Sequence, residues 1–111
     1  MDKLEQLFDK QLVLQMRLNN LPSKDNEHRR QFINMMTIAL IDEVMEAIRE
    51  TPFKDWKKNQ EFNAEGFKEE LVDAWHFLIN LSLASGMSSD ELYERFINKN
   101  KINHERQDKK Y

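Results

Sequence analysis

Residues 70–80 of this chain read Glu70-Leu71-Val72-Asp73-Ala74-Trp75-His76-Phe77-Leu78-Ile79-Asn80, with neither Pro nor Gly among them. With the apolar residues that follow up to Ala84, they can form a helix of about three turns or more. A helix that is apolar on all sides is buried on all sides, so we expect this one at the centre of the protein. Glu70, Asp73 and Asn80 nevertheless share one helix face. Buried carboxylates need partners, so the stretch predicts a metal or polar site inside a helical core.

A second acidic pair lies within another apolar stretch, residues 35–48. Glu43 and Glu46 are three residues apart and therefore lie on one helix face. Alone, this pair would equally suit a solvated acidic stripe. If its helix forms an antiparallel hairpin with the helix that carries Glu70 and Asp73, the four carboxylates converge in one cleft. Like charges held so closely repel, and ligands that are all oxygen select a hard cation, so the two pairs together predict a Mg²⁺ site, with Mn²⁺ as the alternative ion.

A di-iron carboxylate site is the competing chemistry. Such a site in a helical bundle uses two Glu-x-x-His motifs and two further glutamates. This chain contains no Glu-x-x-His, and Asp73-x-x-His76 is the nearest approximation within the apolar helix. Half of the di-iron ligand set is therefore missing, which favours the Mg²⁺ interpretation.

The composition indicates a soluble globular protein with one domain over residues 1–111. The net charge of −3 argues against binding to a nucleic acid polymer, and no apolar run reaches the ~18 residues of a membrane span. Cysteine is absent, which excludes disulfides and thiolate chemistry. The first residues lack the apolar core of a signal peptide. We therefore expect a cytoplasmic protein.

The near absence of Gly and Pro, with little strand-like alternation, predicts an all-α fold. We expect a four-helix bundle-type protomer, assembled as an oligomer. The helices are predicted over residues 3–20, over residues 27–50, up to Ser85, and from a capping box at residues 88–91. Polar residues 23–26 form a turn after the first helix, and residues 53–63 connect the second and third.

These residues resemble a known family, the all-α nucleoside triphosphate pyrophosphohydrolases, and within it the dimeric dUTPases. The superfamily pattern is Glu-x-x-Glu on one helix and Glu-x-x-Asp on the next, here Glu43/Glu46 and Glu70/Asp73. Residues 15–19 are similar to the family's N-terminal Gln-x-x-Leu-Asn. Residues 70–77 are similar to its acidic Trp-His-Phe helix, and residues 99–107 to its C-terminal Lys-Asn-x-x-Asn-x-x-Arg-Gln. Many dimeric dUTPases have extra helices after the second acidic motif, and this chain has no room for them before Lys99.

The resemblance implies a role for each matching residue. The four carboxylates of Glu43, Glu46, Glu70 and Asp73 are the implied metal ligands and catalytic groups, with Glu43 as the base. The implied phosphate contacts are Lys99, Asn103, Arg106, Lys54 and Lys57. The implied contacts with the base or sugar are Gln15, Asn19, His76, Asn80 and Trp56.

The resemblance implies Mg²⁺-dependent hydrolysis of dUTP to dUMP and pyrophosphate. A house-cleaning hydrolase of other nucleoside triphosphates is the alternative within the enzyme class. A helical binding protein that keeps the fold without turnover is the alternative outside it. Apolar residues surround most of the second and third helices, and a lone protomer would expose part of them, so we also expect a homodimer or a dimer of dimers.

Overall fold

The structure of the protein is a computed structural model that describes residues 1–22 and 25–110. These residues form four helices and no strand, which confirms the all-α prediction. The helices are α1 (Lys3–Arg17), α2 (Asn26–Arg49), α3 (Ala64–Ala84) and α4 (Ser89–Asp108). Residues 23 and 24, half of the predicted polar turn, lie outside the described residues, as does Tyr111. In the described part of the chain, no helix is both long and apolar enough to cross a membrane.

Each helix begins at a polar side chain that caps its first free N–H groups. The caps are Asp2, Asp25, Asn63 and Ser88. A cap of this kind typically stabilises a helix by about 1 kcal/mol. Only half of the predicted capping box at α4 forms, because the Glu91 carboxylate accepts from Arg95 Nε at 2.6 Å rather than from the cap. After α3, Gly86 takes a φ of 86°, a left-handed conformation that glycine adopts without strain.

α2 and α3 form the predicted antiparallel hairpin. Contacts pair the end of α2 with the start of α3 and the middle of α2 with the end of α3: Asn63 Nδ2 donates to Glu50 Oε2 at 2.9 Å, and Asn80 Nδ2 lies 3.4 Å from Met36 Sδ. A Cβ atom on Gly66 would lie 2.6 Å from Asn63 Nδ2 and 2.8 Å from Glu50 Oε2. Glycine at this position therefore leaves room for the hydrogen bond between Asn63 and Glu50.

Phe8, Ala47, Ala74 and Ile79 are buried along the helices, while the core cluster lies at the end of the hairpin far from the connector. Phe32, Met36 and Ala84 form it, and Ile33, Phe77 and Leu81 pack against it. The expectation that α3 is buried on all sides is wrong for the protomer: Trp75 is 58% exposed and Leu78 is 41% exposed. α3 packs against α2 on one side and against α1 on another, and two neighbouring helices do not surround it.

α4 packs against the beginning of α1, where Ser89, Asp90 and Tyr93 share a cavity wall with Asp2, Lys3 and Leu4. From Tyr93 to Lys110, all side chains except Ile102 are exposed, so most of α4 projects away from the other helices. The radius of gyration is 17.4 Å, whereas a compact domain of this length has ~13 Å. The accessible surface of 8915 Å² exceeds that of a compact monomer of this mass by about 2,400 Å².

Candidate active site

The hairpin brings three of the four predicted metal ligands together. Glu43 and Glu46 on α2 and Glu70 on α3 each offer a carboxylate oxygen, and these oxygens lie within 4.8 Å of one another. Asp73, one turn after Glu70, is exposed and outside this group, but its charge acts on both Glu43 and Glu70. The two acidic pairs therefore converge as the hairpin geometry predicts, with Asp73 at the edge.

The cluster is under electrostatic strain without a cation. Burial raises the pKa of Glu43 above its ordinary value of 4.5, and the charges of Glu46 and Asp73 raise it further. The pKa of Glu70 is raised first by the adjoining carboxyl of Glu43, and burial adds to this. The pKa of Glu46 is also raised, first by the adjoining carboxyl of Glu70 and then by burial. Like charges at this distance oppose full ionisation of the cluster.

Two buried oxygens show that this site fits a cation. Among the described residues, Glu43 Oε2 and Glu70 Oε2 are the buried side-chain atoms that have no hydrogen-bond partner. Buried polar atoms without partners are rare, and each calls for an explanation. Carboxylate oxygens that lack donors are the ligands hard cations such as Mg²⁺ prefer. Glu43, Glu46 and Glu70 can therefore hold such an ion, with Asp73 beside them.

The raised pKa values predict how stability depends on pH. Between 4.5 and the raised values, the folded metal-free protein binds more protons than the unfolded chain, so its free energy of unfolding falls as pH rises. We expect the melting temperature in EDTA to be higher at about pH 5 than at about pH 7. Mg²⁺ should raise it more at pH 7, because binding requires deprotonated ligands. A metal-free melting temperature that rises between these pH values would contradict the prediction.

An open cavity of about 520 Å³ adjoins the acidic cluster. Glu43 and Asp73 line it on the acidic side. The remaining lining residues come from α1, the turn after it, α2 and α3: Gln11, Leu14, Gln15, Leu18, Asn20, Met36, His76, Phe77 and Asn80. Three of the residues implied as base or sugar contacts, Gln15, His76 and Asn80, are thus brought to one cavity beside the carboxylates.

Two other implied base contacts lie away from this cavity. Asn19 is exposed, with a φ of 54° in the turn after α1, and the neighbouring Asn20 lines the cavity instead. Trp56 is 79% exposed in the connector, and it lines neither this cavity nor a second one formed by the connector.

Sequence reasoning missed Gln11. This side chain is 5% exposed and lines the cavity, and it lies one turn before Gln15 on the buried face of α1. That face consists of Phe8, Gln11 and Gln15, whereas Leu7, Met16 and most other apolar residues of this helix are exposed. The i, i+3, i+7 spacing of the buried three was the available signal, but the leucines around them obscured it.

The implied phosphate contacts occupy two separate places. Lys54 and Lys57 line a cavity of about 450 Å³ in the connector, together with Arg49. The Gln60 amide holds this loop, because it donates to the carbonyl oxygens of Lys54 and Lys57. By contrast, Lys99, Asn103 and Arg106 are exposed on the projecting part of α4. The protomer does not bring that second group to its own acidic cluster.

Comparison with known proteins identifies the family. The family model described as dUTPase matches residues 3–88. The chain belongs to the dUTPase family. The match includes all four acidic residues and the amide side chains of the cavity, and it ends before α4. Membership in the dUTPase family therefore rests on α1, α2 and α3, the helices that build the cavity.

Two phage proteins related to this dUTPase family member share part of its sequence. The dCTP pyrophosphatase of Enterobacteria phage T4 is 46% identical over 44 residues, which are 40% of this chain and 26% of the relative. The dCTP pyrophosphatase of Enterobacteria phage LZ5 is 40% identical over 58 residues, which are 50% of this chain and 34% of the relative. The matches thus span about a third or less of these relatives. No solved structure matches the chain.

Proposed function

We propose that this protein is a Mg²⁺-dependent nucleoside triphosphate pyrophosphohydrolase that converts dUTP to dUMP and pyrophosphate. The observation that carries the proposal is the acidic cluster of Glu43, Glu46 and Glu70. It lies beside a cavity that is lined by the amide side chains of Gln11, Gln15 and Asn80. Carboxylates suit cations that neutralise phosphates, and amides suit the edge of a base. Membership in the dUTPase family supports this assignment.

Each acidic residue has a defined part in the proposed reaction. Glu43, Glu46, Glu70 and Asp73 would hold Mg²⁺ or Mn²⁺, which neutralises phosphate charge and makes water a better nucleophile when bound. Glu43 is the proposed general base, because it belongs to the acidic cluster and also lines the cavity. Glu46, Glu70 and Asp73 would orient the reacting phosphates through the bound cation.

The cavity next to the cluster would take the nucleoside. Gln15 and Asn80 offer amide groups to the base, and His76 lies near enough to the acidic side to contact the sugar. The His76 ring is held by a 2.9 Å contact between Nδ1 and the carbonyl oxygen of Val72. Asn19 and Trp56 would reach the base only through movement of the turn and the connector in which they lie.

dCTP is the second candidate substrate, and the names of the two phage relatives favour it. Uracil and cytosine differ at positions 3 and 4 of the ring, where amide side chains can serve either base. A wider set of non-standard nucleotides is the house-cleaning form of the same activity. A binding protein without turnover is disfavoured by the unpaired carboxylate oxygens of the cluster.

The positions of the proposed phosphate-binding residues favour an assembly of two or more copies. Lys54 and Lys57 lie on the connector that follows the acidic helix α2, and they would meet the terminal phosphates. Lys99 is ten residues beyond Ser89, which places it ~15 Å along α4 from the contact with α1. We therefore propose a homodimer or a dimer of dimers in which α4 carries Lys99, Asn103 and Arg106 to the cleft of a second copy. A projecting helix and about 2,400 Å² of excess surface favour this arrangement.

A pyrophosphate-release assay over a panel of nucleoside triphosphates tests the proposal. We expect hydrolysis of dUTP, or of dUTP and dCTP, that depends on Mg²⁺ and stops in excess EDTA. Equal activity in EDTA would exclude the metal role. Tight nucleotide binding without pyrophosphate release would instead support the non-catalytic alternative.

A further inference from the structure

Three amide side chains form a closed hydrogen-bonded group at the floor of the cavity. Gln11 Nε2 donates to Asn80 Oδ1 at 2.9 Å and to Gln15 Oε1 at 3.4 Å. Asn80 Nδ2 donates to the same Gln15 oxygen at 3.3 Å. All three residues are at most 5% exposed. A buried network of this kind is stable only when donors meet acceptors throughout, so one reversed amide affects the other two.

The polarity of this group is fixed by a backbone atom. Gln15 Nε2 donates to the carbonyl oxygen of Asn20 at 2.7 Å, and a carbonyl oxygen can only accept. The Gln15 oxygen must therefore point the other way, toward Asn80 and Gln11, which must present their NH₂ groups to it. The NH₂ group of Gln11 has two protons, and it donates one to Asn80 Oδ1 and the other to Gln15 Oε1.

These hydrogen bonds leave one acceptor and one donor of the amide group available to a ligand. Gln11 Oε1 accepts no hydrogen bond within the described residues, and it is not among the buried unpaired atoms, so it is open to space. Gln15 Nε2 uses one proton for Asn20 and retains the other. The floor therefore offers one acceptor on Gln11 and one donor on Gln15, a helical turn apart.

We propose that Gln11 is a positioning residue for base binding: by donating to both Asn80 and Gln15 it maintains the amide polarity that the Asn20 carbonyl sets, and the cavity then takes a pyrimidine edge that offers an N–H beside an acceptor. This inference rests on the proposed function, because it places the base of the nucleotide in this cavity. Uracil offers such an edge as N3–H and O4, and cytosine offers it as N4–H and N3. The two bases thus bind in different registers, and both need the amide polarity that Gln11 maintains.

Replacing Gln11 by Met keeps the length of the side chain and removes both donated hydrogen bonds. Asn80 and Gln15 then lose the partner that holds their orientation. We expect KM for the preferred nucleotide to rise about tenfold, the effect of losing ~1.4 kcal/mol of binding. The loss should fall mainly on KM rather than kcat, and it should appear with both dUTP and dCTP. Gln6→Met is the matched control, because Gln6 is exposed on the same helix and bonds only to the carbonyl of Met1.

A second measurement on the unmodified protein does not depend on turnover. In ¹⁵N NMR spectra, the side-chain NH₂ protons of Gln11 should exchange with water more slowly than those of Gln6. In Gln11→Met, the side-chain signals of Asn80 and Gln15 should shift, and dUMP and dCMP should both bind more weakly. Fast exchange at Gln11, or unchanged Asn80 and Gln15 signals in the variant, would overturn the inference. Loss of hydrolysis with all nucleotides would overturn the proposed function alone, because monophosphate binding and NMR would still report on Gln11.

Discussion

Replacing Glu70 by Gln is expected to lower nucleotide turnover by more than about 100-fold and to raise the melting temperature of the metal-free protein. The amide removes one metal ligand and one charge from a cluster whose oxygens lie within 4.8 Å of one another. Loss of a residue that merely supports a metal ligand already costs 10–100-fold. Relief of like-charge repulsion should stabilise the fold when no cation is bound. Pyrophosphate release with Mg²⁺ and thermal melting in EDTA measure the two effects.

Glu69→Gln is the matched control for this experiment. Glu69 is the exposed neighbour of Glu70 and lies outside the cluster, so both activity and the metal-free melting temperature should stay close to those of the unmodified protein. A Glu70→Gln protein that is inactive but less stable in EDTA would indicate a structural role for this carboxylate. A variant that retains full activity would exclude Glu70 as a metal ligand.

Replacing Ile38 by Glu is expected to raise the dissociation constant of the proposed dimer by at least about 100-fold. Ile38, Ile41 and Met45 follow an i, i+3, i+7 course on α2, on the face opposite the buried Met36 and Ala47, and they are 63%, 59% and 46% exposed. An unpaired carboxylate buried in such an interface loses its hydration without compensation. A 100-fold change corresponds to ~2.7 kcal/mol, within the range for a central interface residue. Sedimentation equilibrium at micromolar concentrations measures it.

Lys58→Gln is the control, because it lowers the net charge by the same amount at an exposed position of the connector. It should leave the dimer intact. The excess surface of about 2,400 Å² per protomer, or about 4,800 Å² for two protomers, lies in the range that permanent homodimers bury. If the unmodified protein remains a 13.4 kDa monomer under these conditions, the burial argument is wrong.

The helices follow from local features of the sequence. Caps at Asp2, Asp25, Asn63 and Ser88, and Gly86 after α3, act within a few residues, so composition and pattern were enough to predict an all-α chain and most helix ends. The convergence of Glu43 and Glu46 with Glu70 also followed, because an antiparallel hairpin sets the end of α2 against the start of α3, where these residues lie.

Which apolar surfaces are buried could not be predicted from helical periodicity alone. Leucines lie on both sides of the buried face of α1, yet that face itself consists of Phe8, Gln11 and Gln15. The same ambiguity made α3 look fully buried, although Trp75 and Leu78 are exposed in the protomer. Periodicity shows that a helix has an apolar side, but the side that meets a neighbour depends on how the helices cross.

The sequence by itself determined the helices, the two acidic pairs and the family to which they point, because these depend on residue type and spacing along one or two helices. Only the tertiary structure decided that Gln11 joins Gln15 and Asn80 in one buried amide group. Asn80 is 69 positions after Gln11 and 65 positions after Gln15, and these residues meet because α1 packs on α3. The tertiary structure also decided that α4 holds Lys99 and Arg106 away from the acidic cluster of its own chain. The physical reason is the same in both cases: a side chain's partners depend on the direction in which separate helices pack, and no single helix specifies that direction.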